Sequence, residues 1–170
     1  MYTPTPKEIL EFATTSSQIE GEYSEEAIQD HIEAWKYMAG TSSLVFNHLL
    51  ECHRLLQARL RPDIAGRLRD CDVRVGMHVM PSYEQVPGLL NQWIYKYANP
   101  AVFAKEPDVD GAIRVAHVIF ENVHPFEDGN GRVGRILMNW HRINNDLPLL
   151  IIHPGAEQQE YYTWFREQAN

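Results

Sequence analysis

Apolar side chains recur at intervals of three or four positions over most of the chain, which is the pattern of amphipathic helices. Serine or acidic residues precede several of these stretches, and glycine or proline follows them, as at helix ends. Within one stretch, Ser82 and Gln85 have the spacing of a capping box. The pattern predicts a helix that ends at Gly21 and further helices over residues 24–40, 42–62, 82–97, 108–122, 131–144 and 156–168.

One segment departs from this helical period. Between Asp72 and Met80, valine and methionine alternate with charged or small residues, which indicates an extended chain that can form one short hairpin. Only helices are predicted elsewhere, so we expect an all-α fold with a short β-hairpin. No shift in composition divides the chain, and one compact domain is expected.

Composition and charge narrow the class of protein. The chain has 170 residues, of which 44% are hydrophobic and 22% charged, as in a soluble globular domain. It shows no secretory signal, no basic stripe and no apolar run near the ~18 residues of a membrane span, and its net charge is −8. Cys52 and Cys71 lack the spacing of a metal or redox pair. We therefore expect a cytoplasmic protein that binds neither membranes nor nucleic acid directly.

The segment HPFEDGNGRVGR, residues 124–135, lies between two predicted helices and concentrates polar chemistry. The glycines of Gly129-Asn130-Gly131 allow the backbone to turn its N–H groups toward one point. A helix that begins here adds unpaired N–H groups and the positive end of its dipole. The loop is therefore a predicted anion cradle.

Two arginines follow this loop. Arg132 and Arg135 are three residues apart, so they should project from one face of the helix, and Asn139 lies a further turn along that face. Two guanidinium groups beside an anion cradle suit a polyphosphate. This face is predicted to be solvated and basic, while the opposite face packs into the core.

Asp128 and His124 add an acid and a base to the same segment. A lone carboxylate next to phosphates is the usual protein ligand of Mg²⁺, since water and phosphate oxygens supply the rest. A histidine with an ordinary pKa near 6.5 can take a proton from a hydroxyl at neutral pH. These residues together predict phosphoryl or nucleotidyl transfer with His124 as the base.

Residues 124–135 resemble the complete signature of Fic domains, HPFx(D/E)GNGRxxR, without a departure. The resemblance implies a Fic-type helical domain with a hairpin "flap", and a protein adenylyltransferase that moves AMP from ATP to a Ser, Thr or Tyr hydroxyl of a target protein. In that family His124 would be the base, Asp128 would hold Mg²⁺, and Arg135 would reach the γ-phosphate. The backbone amides of Gly129, Asn130 and Gly131, helped by Arg132, would cradle phosphates.

The resemblance also implies roles outside the motif. A flap of Val75, Gly76, Met77 and His78 would pair with an extended segment of the target by strand addition. Adenine contacts would come from Tyr161, Tyr162 and Asn170, with core packing of the two aromatics as the alternative.

The first predicted helix ends in the stretch Ser16-Ser-Gln-Ile-Glu20-Gly21. An acid in the last turn opposes the helix dipole by about 0.3–1 kcal/mol, which favours a compensating partner for Glu20. In Fic proteins the pattern (S/T)xxxE(G/N) is autoinhibitory, and Ser16, Glu20 and Gly21 are similar to it. The resemblance implies that Glu20 pairs with Arg135 in place of the γ-phosphate. It also implies an inhibitory segment over residues 1–23 before a Fic domain over residues 24–170.

Several alternatives stay open at this point. The related Doc kinases have lysine in place of the first motif arginine, so Arg132 favours adenylylation over phosphorylation. Removal of AMP, transfer from UTP or GTP, and a nucleotide-sensing module without turnover are the other functions compatible with the motif. Trp35 and Phe46 are predicted core residues, with a surface for a homo-oligomer as the alternative. The target protein and the signal that relieves inhibition are not indicated.

Overall fold

The computed structural model describes residues 1–166, which form seven α-helices, two short 3₁₀ helices and one two-stranded hairpin. The predicted all-α fold with a β-hairpin is confirmed. The two 3₁₀ helices are Tyr83–Gln85 and Pro100–Lys105. The other elements are α1 (Pro6–Ile19), α2 (Glu25–Ala39), α3 (Phe46–Gln57), β1 (Arg74–Val75), β2 (His78–Val79), α4 (Val86–Tyr97), α5 (Val109–Val123), α6 (Asn130–Ile143) and α7 (Ala156–Arg166).

Local signals account for several of the helix ends. Ser24 accepts a hydrogen bond from the Ala27 amide and starts α2, and Gly40 ends it, as predicted. The predicted end of α1 at Gly21 is also confirmed, because Gly21 takes a positive φ of 75° directly after the helix. These ends depend on contacts within a few residues, which explains why the sequence predicts them.

The start and end of α3 differ from the prediction. The helix begins at Phe46 rather than at Ser42 or Ser43, and it ends at Gln57 rather than near Pro62. Leu44 is buried, and its amide donates to the Ala98 carbonyl at 2.9 Å, so the preceding residues pack against the end of α4 instead of continuing the helix. A tertiary contact therefore replaces the helical hydrogen bonds that the pattern predicts.

The capping box predicted at Ser82 and Gln85 is not formed. The Ser82 side chain makes no capping hydrogen bond, and α4 begins only at Val86. The Tyr83 amide donates instead to Asp72 Oδ1 at 2.9 Å, which ties the start of this segment to the base of the hairpin. This long-range contact determines where the helix begins.

Helix α6 lies at the centre of the molecule and packs against α1, α2, α3 and α5. The solvated basic face predicted for α6 is wrong, because Arg132 and Arg135 are only 1% and 2% exposed. Trp35 is buried in the core, as predicted, and Phe46 packs against the core while partly exposed. Among residues 1–166, no helix has the length and apolar character needed to cross a membrane.

Candidate active site

A cleft of about 870 Å³ opens where α5 ends and α6 begins. The hairpin forms one wall, and the end of α5, the start of α6 and the inner face of α7 form the other. Members of each predicted group, the base, the cradle, the inhibitory segment and the flap, line this one cleft: His124, Gly131, Arg135, Glu20, Val75, Gly76, Met77 and His78. The predicted residues Ser16, Gly21, Gly129 and Asn130 are not among its lining residues.

His124 follows the last residue of α5 and adopts a left-handed backbone conformation with φ of 50° and ψ of 60°. Its carbonyl accepts a hydrogen bond of 2.7 Å from Arg69 Nε. Burial lowers the pKa of the His124 ring below its usual value, although a hydrogen bond to the Glu121 backbone opposes this, and the Arg69 cation lowers the pKa further. The ring is therefore neutral at pH 7 and able to accept a proton.

Side-chain atoms of other segments lie close to two glycines of the cradle. Gly129 has a φ of 84°, and a Cβ there would lie 2.6 Å from Gln57 Nε2. A Cβ on Gly131 would lie 2.2 Å from Glu20 Oε1. Asn130 uses its side chain within the loop, because its amide group exchanges hydrogen bonds of 2.9 and 2.8 Å with the backbone of Phe126. The Asn130 side chain is therefore not available to an anion, whereas the backbone N–H groups at the start of α6 are.

Asp128 is half exposed at the mouth of the cradle. Gln57 Nε2 donates to its Oδ2 at 3.2 Å, and Arg132 Nη2 lies 3.6 Å from the same oxygen. The remaining carboxylate oxygen carries no hydrogen bond from the described residues, so it can take a cation. Residues 1–166 contain no group of three or more His, Cys, Asp or Glu side chains that could hold a metal.

His53 and Gln57 on α3 support the motif, and sequence reasoning missed both. The Gly66 amide donates to His53 Nδ1 at 3.0 Å, so Nε2 carries the proton and donates to the Asp128 carbonyl at 2.9 Å. The ring stacks on Phe126 with a centroid distance of 3.9 Å. Burial lowers the pKa of His53 to about 4, which keeps this bridge in its neutral form. These residues lie more than 70 positions before their motif partners, so no local pattern marks them.

Two predicted phosphate-binding side chains do not reach the cleft. Arg132 turns back toward Asp128, and its Nε and Nη1 have no hydrogen-bond partner among the described residues. Asn139 is fully buried and exchanges hydrogen bonds of 3.1 and 2.7 Å with the backbone of Leu150. This contact gives Asn139 a structural role, contrary to the prediction, because it spans the gap between α6 and the segment that leads to α7.

Arg135 lines the cleft beside the motif, and its side chain is almost fully buried. Its Nη2 donates to Glu20 Oε1 at 2.6 Å and to the Ser16 carbonyl at 2.9 Å, while its Nε donates to Ser16 Oγ at 2.9 Å. The end of α1 therefore surrounds the guanidinium of Arg135. The Glu20 carboxylate also touches Gly131, so an acidic group already lies at the N-terminus of α6.

A family model described as the Fic/DOC family matches residues 43–141. The chain belongs to the Fic/DOC family. The resemblance drawn from the signature is thereby confirmed, and residues 124–135 are the Fic motif of this protein.

Curated relatives of the chain are named as Fic proteins. The chain is 32% identical over 146 residues to the protein adenylyltransferase Fic of Nematostella vectensis, covering 81% of this chain and 33% of the relative. It is 34% identical over 114 residues to protein adenylyltransferase fic-1 of Caenorhabditis elegans, covering 67% of this chain and 22% of the relative. The chain thus spans only about a fifth to a third of the length of these relatives.

Solved structures share the fold. A Fic domain-containing signaling protein from Bacteroides thetaiotaomicron has a TM-score of 0.76 at 20% identity, covering 94% of this chain and 70% of that one. Fic-1 from C. elegans has a TM-score of 0.76 at 22% identity, covering 95% of this chain and 55% of that one. At these identities the likeness establishes the Fic fold alone.

The hairpin facing the Fic motif pairs Arg74 with Val79 and Val75 with His78. The predicted hairpin is therefore confirmed, with Gly76 at a φ of 57° in its turn. Both strands are exposed, and Met77 at the tip is 91% exposed. Strand pairing with a target stays a prediction.

The far end of the cleft is lined by Tyr161 and Tyr162 on α7. The Tyr161 hydroxyl lies 2.9 Å from His117 Nε2 and 3.4 Å from Arg135 Nη1, so this ring is tied to the charged centre of the site. Adenine binding by the two tyrosines stays a prediction, and Asn170 lies outside the described residues.

Glu121 on α5 also lines the cleft and was not predicted. Its Oε1 is enclosed against Gly134 without a hydrogen-bond partner in the described part of the chain. Burial raises the pKa of Glu121 to about 8, and the nearby Glu20 carboxylate raises it as well, against the opposing Arg135 cation. The carboxyl is therefore largely protonated at pH 7.

Proposed function

We propose that this chain is a protein adenylyltransferase that moves AMP from ATP to a Ser, Thr or Tyr hydroxyl, and that Glu20 represses it. The observation that carries the proposal is the position of the Glu20 carboxylate, in contact with Gly131 at the start of α6 and 2.6 Å from Arg135 Nη2. An acidic group occupies the place where the motif would hold a phosphate, beside a neutral histidine. The relatives named protein adenylyltransferase support the reaction class.

The chemistry follows from the residues of the cleft. With Glu20 withdrawn, the N-terminus of α6 and Arg135 would bind the β- and γ-phosphates. His124 would take the proton of the target hydroxyl, the hydroxyl oxygen would form a bond to the α-phosphorus, and pyrophosphate would leave with the electrons of the broken P–O bond. Asp128 would hold Mg²⁺ through its unbonded oxygen. When bound, Mg²⁺ would neutralise charge on the phosphates.

Repression follows from the ion pair. Two opposite charges at ~4 Å attract by about 4 kcal/mol at an effective dielectric near 20, before desolvation is subtracted. Arg135 also donates two hydrogen bonds to Ser16, which hold the end of α1 over the cleft. A nucleotide that entered beside Glu20 would bind with its phosphates displaced, and misplacement by about 1 Å can lower a rate about a hundredfold. In this proposal residues 1–23 are the inhibitory segment and residues 24–170 the Fic domain.

Removal of AMP from a modified protein is the second candidate function. Glu20 and His124 line the same cleft, and the Glu20 side chain is 35% exposed. A carboxylate in that position could orient a water for attack on a bound AMP ester. Under this alternative, Glu20 would be needed for activity rather than for repression.

The test uses the chain and its Glu20→Gly variant, each incubated with Mg²⁺ and ATP labelled at the α-phosphate, with label on protein as the readout. We expect about a hundredfold more label with Glu20→Gly, and loss of that label when His124→Ala is added or Mg²⁺ is chelated. Glu22→Gly is the matched control and should label like the parent chain.

Three results would contradict the proposal in distinct ways. Bound ATP that stays intact in all variants would indicate a nucleotide sensor. Label from UTP or GTP but not ATP would change the donor. Release of AMP from a labelled protein that requires Glu20 would favour the removal reaction.

A further inference from the structure

Arg69 lies in the irregular segment between α3 and the hairpin, and no motif marks it. Its side chain is only 4% exposed. The guanidinium donates to three backbone carbonyls, with Nε 2.7 Å from His124 O, Nη1 2.9 Å from Cys71 O and Nη2 2.5 Å from Pro81 O. The Arg69 amide adds a bond of 3.0 Å to the Pro125 carbonyl. One residue therefore contacts both the Fic motif and the hairpin.

The three acceptors come from opposite walls of the cleft. His124 and Pro125 form the turn in which the base takes its left-handed conformation. Cys71 precedes β1 and Pro81 follows β2, so Arg69 joins the two ends of the hairpin as well. A planar guanidinium has N–H groups directed along several fixed lines, and a lysine ammonium cannot reproduce this arrangement.

We propose that Arg69 is a positioning residue that couples the flap to His124, holding the turn of the base and both ends of the hairpin with one guanidinium. Since the flap is the predicted docking edge for the target, this coupling would set the distance between the target hydroxyl and the His124 ring. The inference rests on the proposed function for its consequence in catalysis, while the coupling itself is a property of the fold.

The charge of Arg69 has a second, separable effect. The cation lowers the pKa of His124, together with burial, which lowers it most. The other charged or titratable groups that act on this ring are Glu20 from the end of α1 and Asp128 from the motif loop, and both raise its pKa. Loss of the Arg69 charge should therefore raise the pKa of His124. Loss of the guanidinium geometry with the charge retained should not.

The experiment compares Arg69→Lys, which keeps the charge, with Arg69→Gln, which removes it, both in the Glu20→Gly chain. At saturating ATP, Arg69→Lys should label protein about 10- to 100-fold more slowly, with the dissociation constant for ATP within about threefold of the parent. Arg69→Gln should be slowed as much, and the acid side of its pH–rate profile should move to higher pH, which Arg69→Lys should not show. Arg67→Gln changes an exposed arginine of the same segment and should match the parent.

Two measurements are independent of AMP transfer. The NMR titration of the His124 ring should shift upward in Arg69→Gln and stay in place in Arg69→Lys. Hydrogen exchange at residues 72–83 should accelerate at least tenfold in both variants and not in Arg67→Gln. If no variant labels protein while both signals change, the proposed function fails and the coupling stands.

Other outcomes would overturn the coupling. One is a folded Arg69→Lys variant that labels protein at the rate of the parent and shows the parent's hydrogen exchange at residues 72–83. That result would show that the guanidinium geometry is not needed. A variant without a cooperative thermal transition would show that Arg69 serves the stability of the whole domain rather than the position of the base.

Discussion

The Fic motif and the flap face the same cleft but are held in different ways. The motif is enclosed, with Phe126 fully buried against His53 and the Asn130 side chain closing its loop on the backbone. The flap has only two residues in each strand, and its side chains are exposed. Reacting groups need fixed positions, whereas a strand that receives different target segments gains from an accessible edge. Under the proposed function, this difference predicts that catalysis is preorganised on the wall of the motif and that target recognition is adaptable on the wall of the flap.

The largest difference should appear in stability. Phe126→Ala removes a buried ring and its stack on His53, so it should lower the free energy of unfolding by about 3–5 kcal/mol. Met77→Ala at the flap tip should change it by less than about 0.5 kcal/mol. Urea denaturation followed by circular dichroism measures both values. Equal effects of the two substitutions would contradict the comparison.

The second prediction concerns pH. The pKa of Glu121 is raised from its ordinary value of 4.5 to about 8 in the folded chain, because burial disfavours the charged carboxylate. The stability linked to this protonation is therefore fully present below pH 4.5. This contribution is lost as pH rises toward 8, at a cost of roughly 2 kcal/mol between pH 6 and pH 8. Glu121→Gln should remove that part of the slope of the unfolding free energy against pH. His78→Gln on the exposed flap is the control, and an unchanged slope in Glu121→Gln would refute the assignment.

A third prediction separates the effect of the cradle from that of the Glu20 carboxylate. A Cβ at Gly131 would lie 2.2 Å from Glu20 Oε1 and 2.9 Å from Arg135 Nη1, so Gly131→Ala should displace the carboxylate and also obstruct a phosphate. ATP affinity in the Glu20→Gly chain should fall about tenfold on adding Gly131→Ala, because overpacking costs about 1–3 kcal/mol. Calorimetric titration provides the value. Gly88→Ala is the matched control, since no atom from outside its own stretch of helix lies within 4 Å of the added methyl group.

The smallest effect is expected at the flap. Met77→Ser should leave both the unfolding free energy and the affinity for ATP unchanged, within about 0.5 kcal/mol, since the side chain is 91% exposed. The same calorimetric titration applies. A loss of ATP affinity of tenfold or more would show that the flap tip contacts the nucleotide, and the two walls would then not have separate roles.

The sequence alone determined the features that depend on neighbouring residues. Ser24 and Gly40 bound α2, the alternation near residue 75 predicts the hairpin, and the Fic motif identifies the family. Each of these depends on contacts or patterns within a few positions, where propensity and side-chain period act directly.

Only the tertiary structure decided which polar side chains face the cleft. Arg132 and Arg135 share one helix and one spacing, yet Arg132 turns back toward Asp128 while Arg135 meets Ser16, 119 positions earlier. Arg69 reaches the His124 carbonyl across 55 positions. Because α6 is enclosed by four other helices, the orientation of its side chains is set by those neighbours rather than by its own pattern. The residues that hold His124 and the Glu20 carboxylate in place are therefore visible only once the helices are packed.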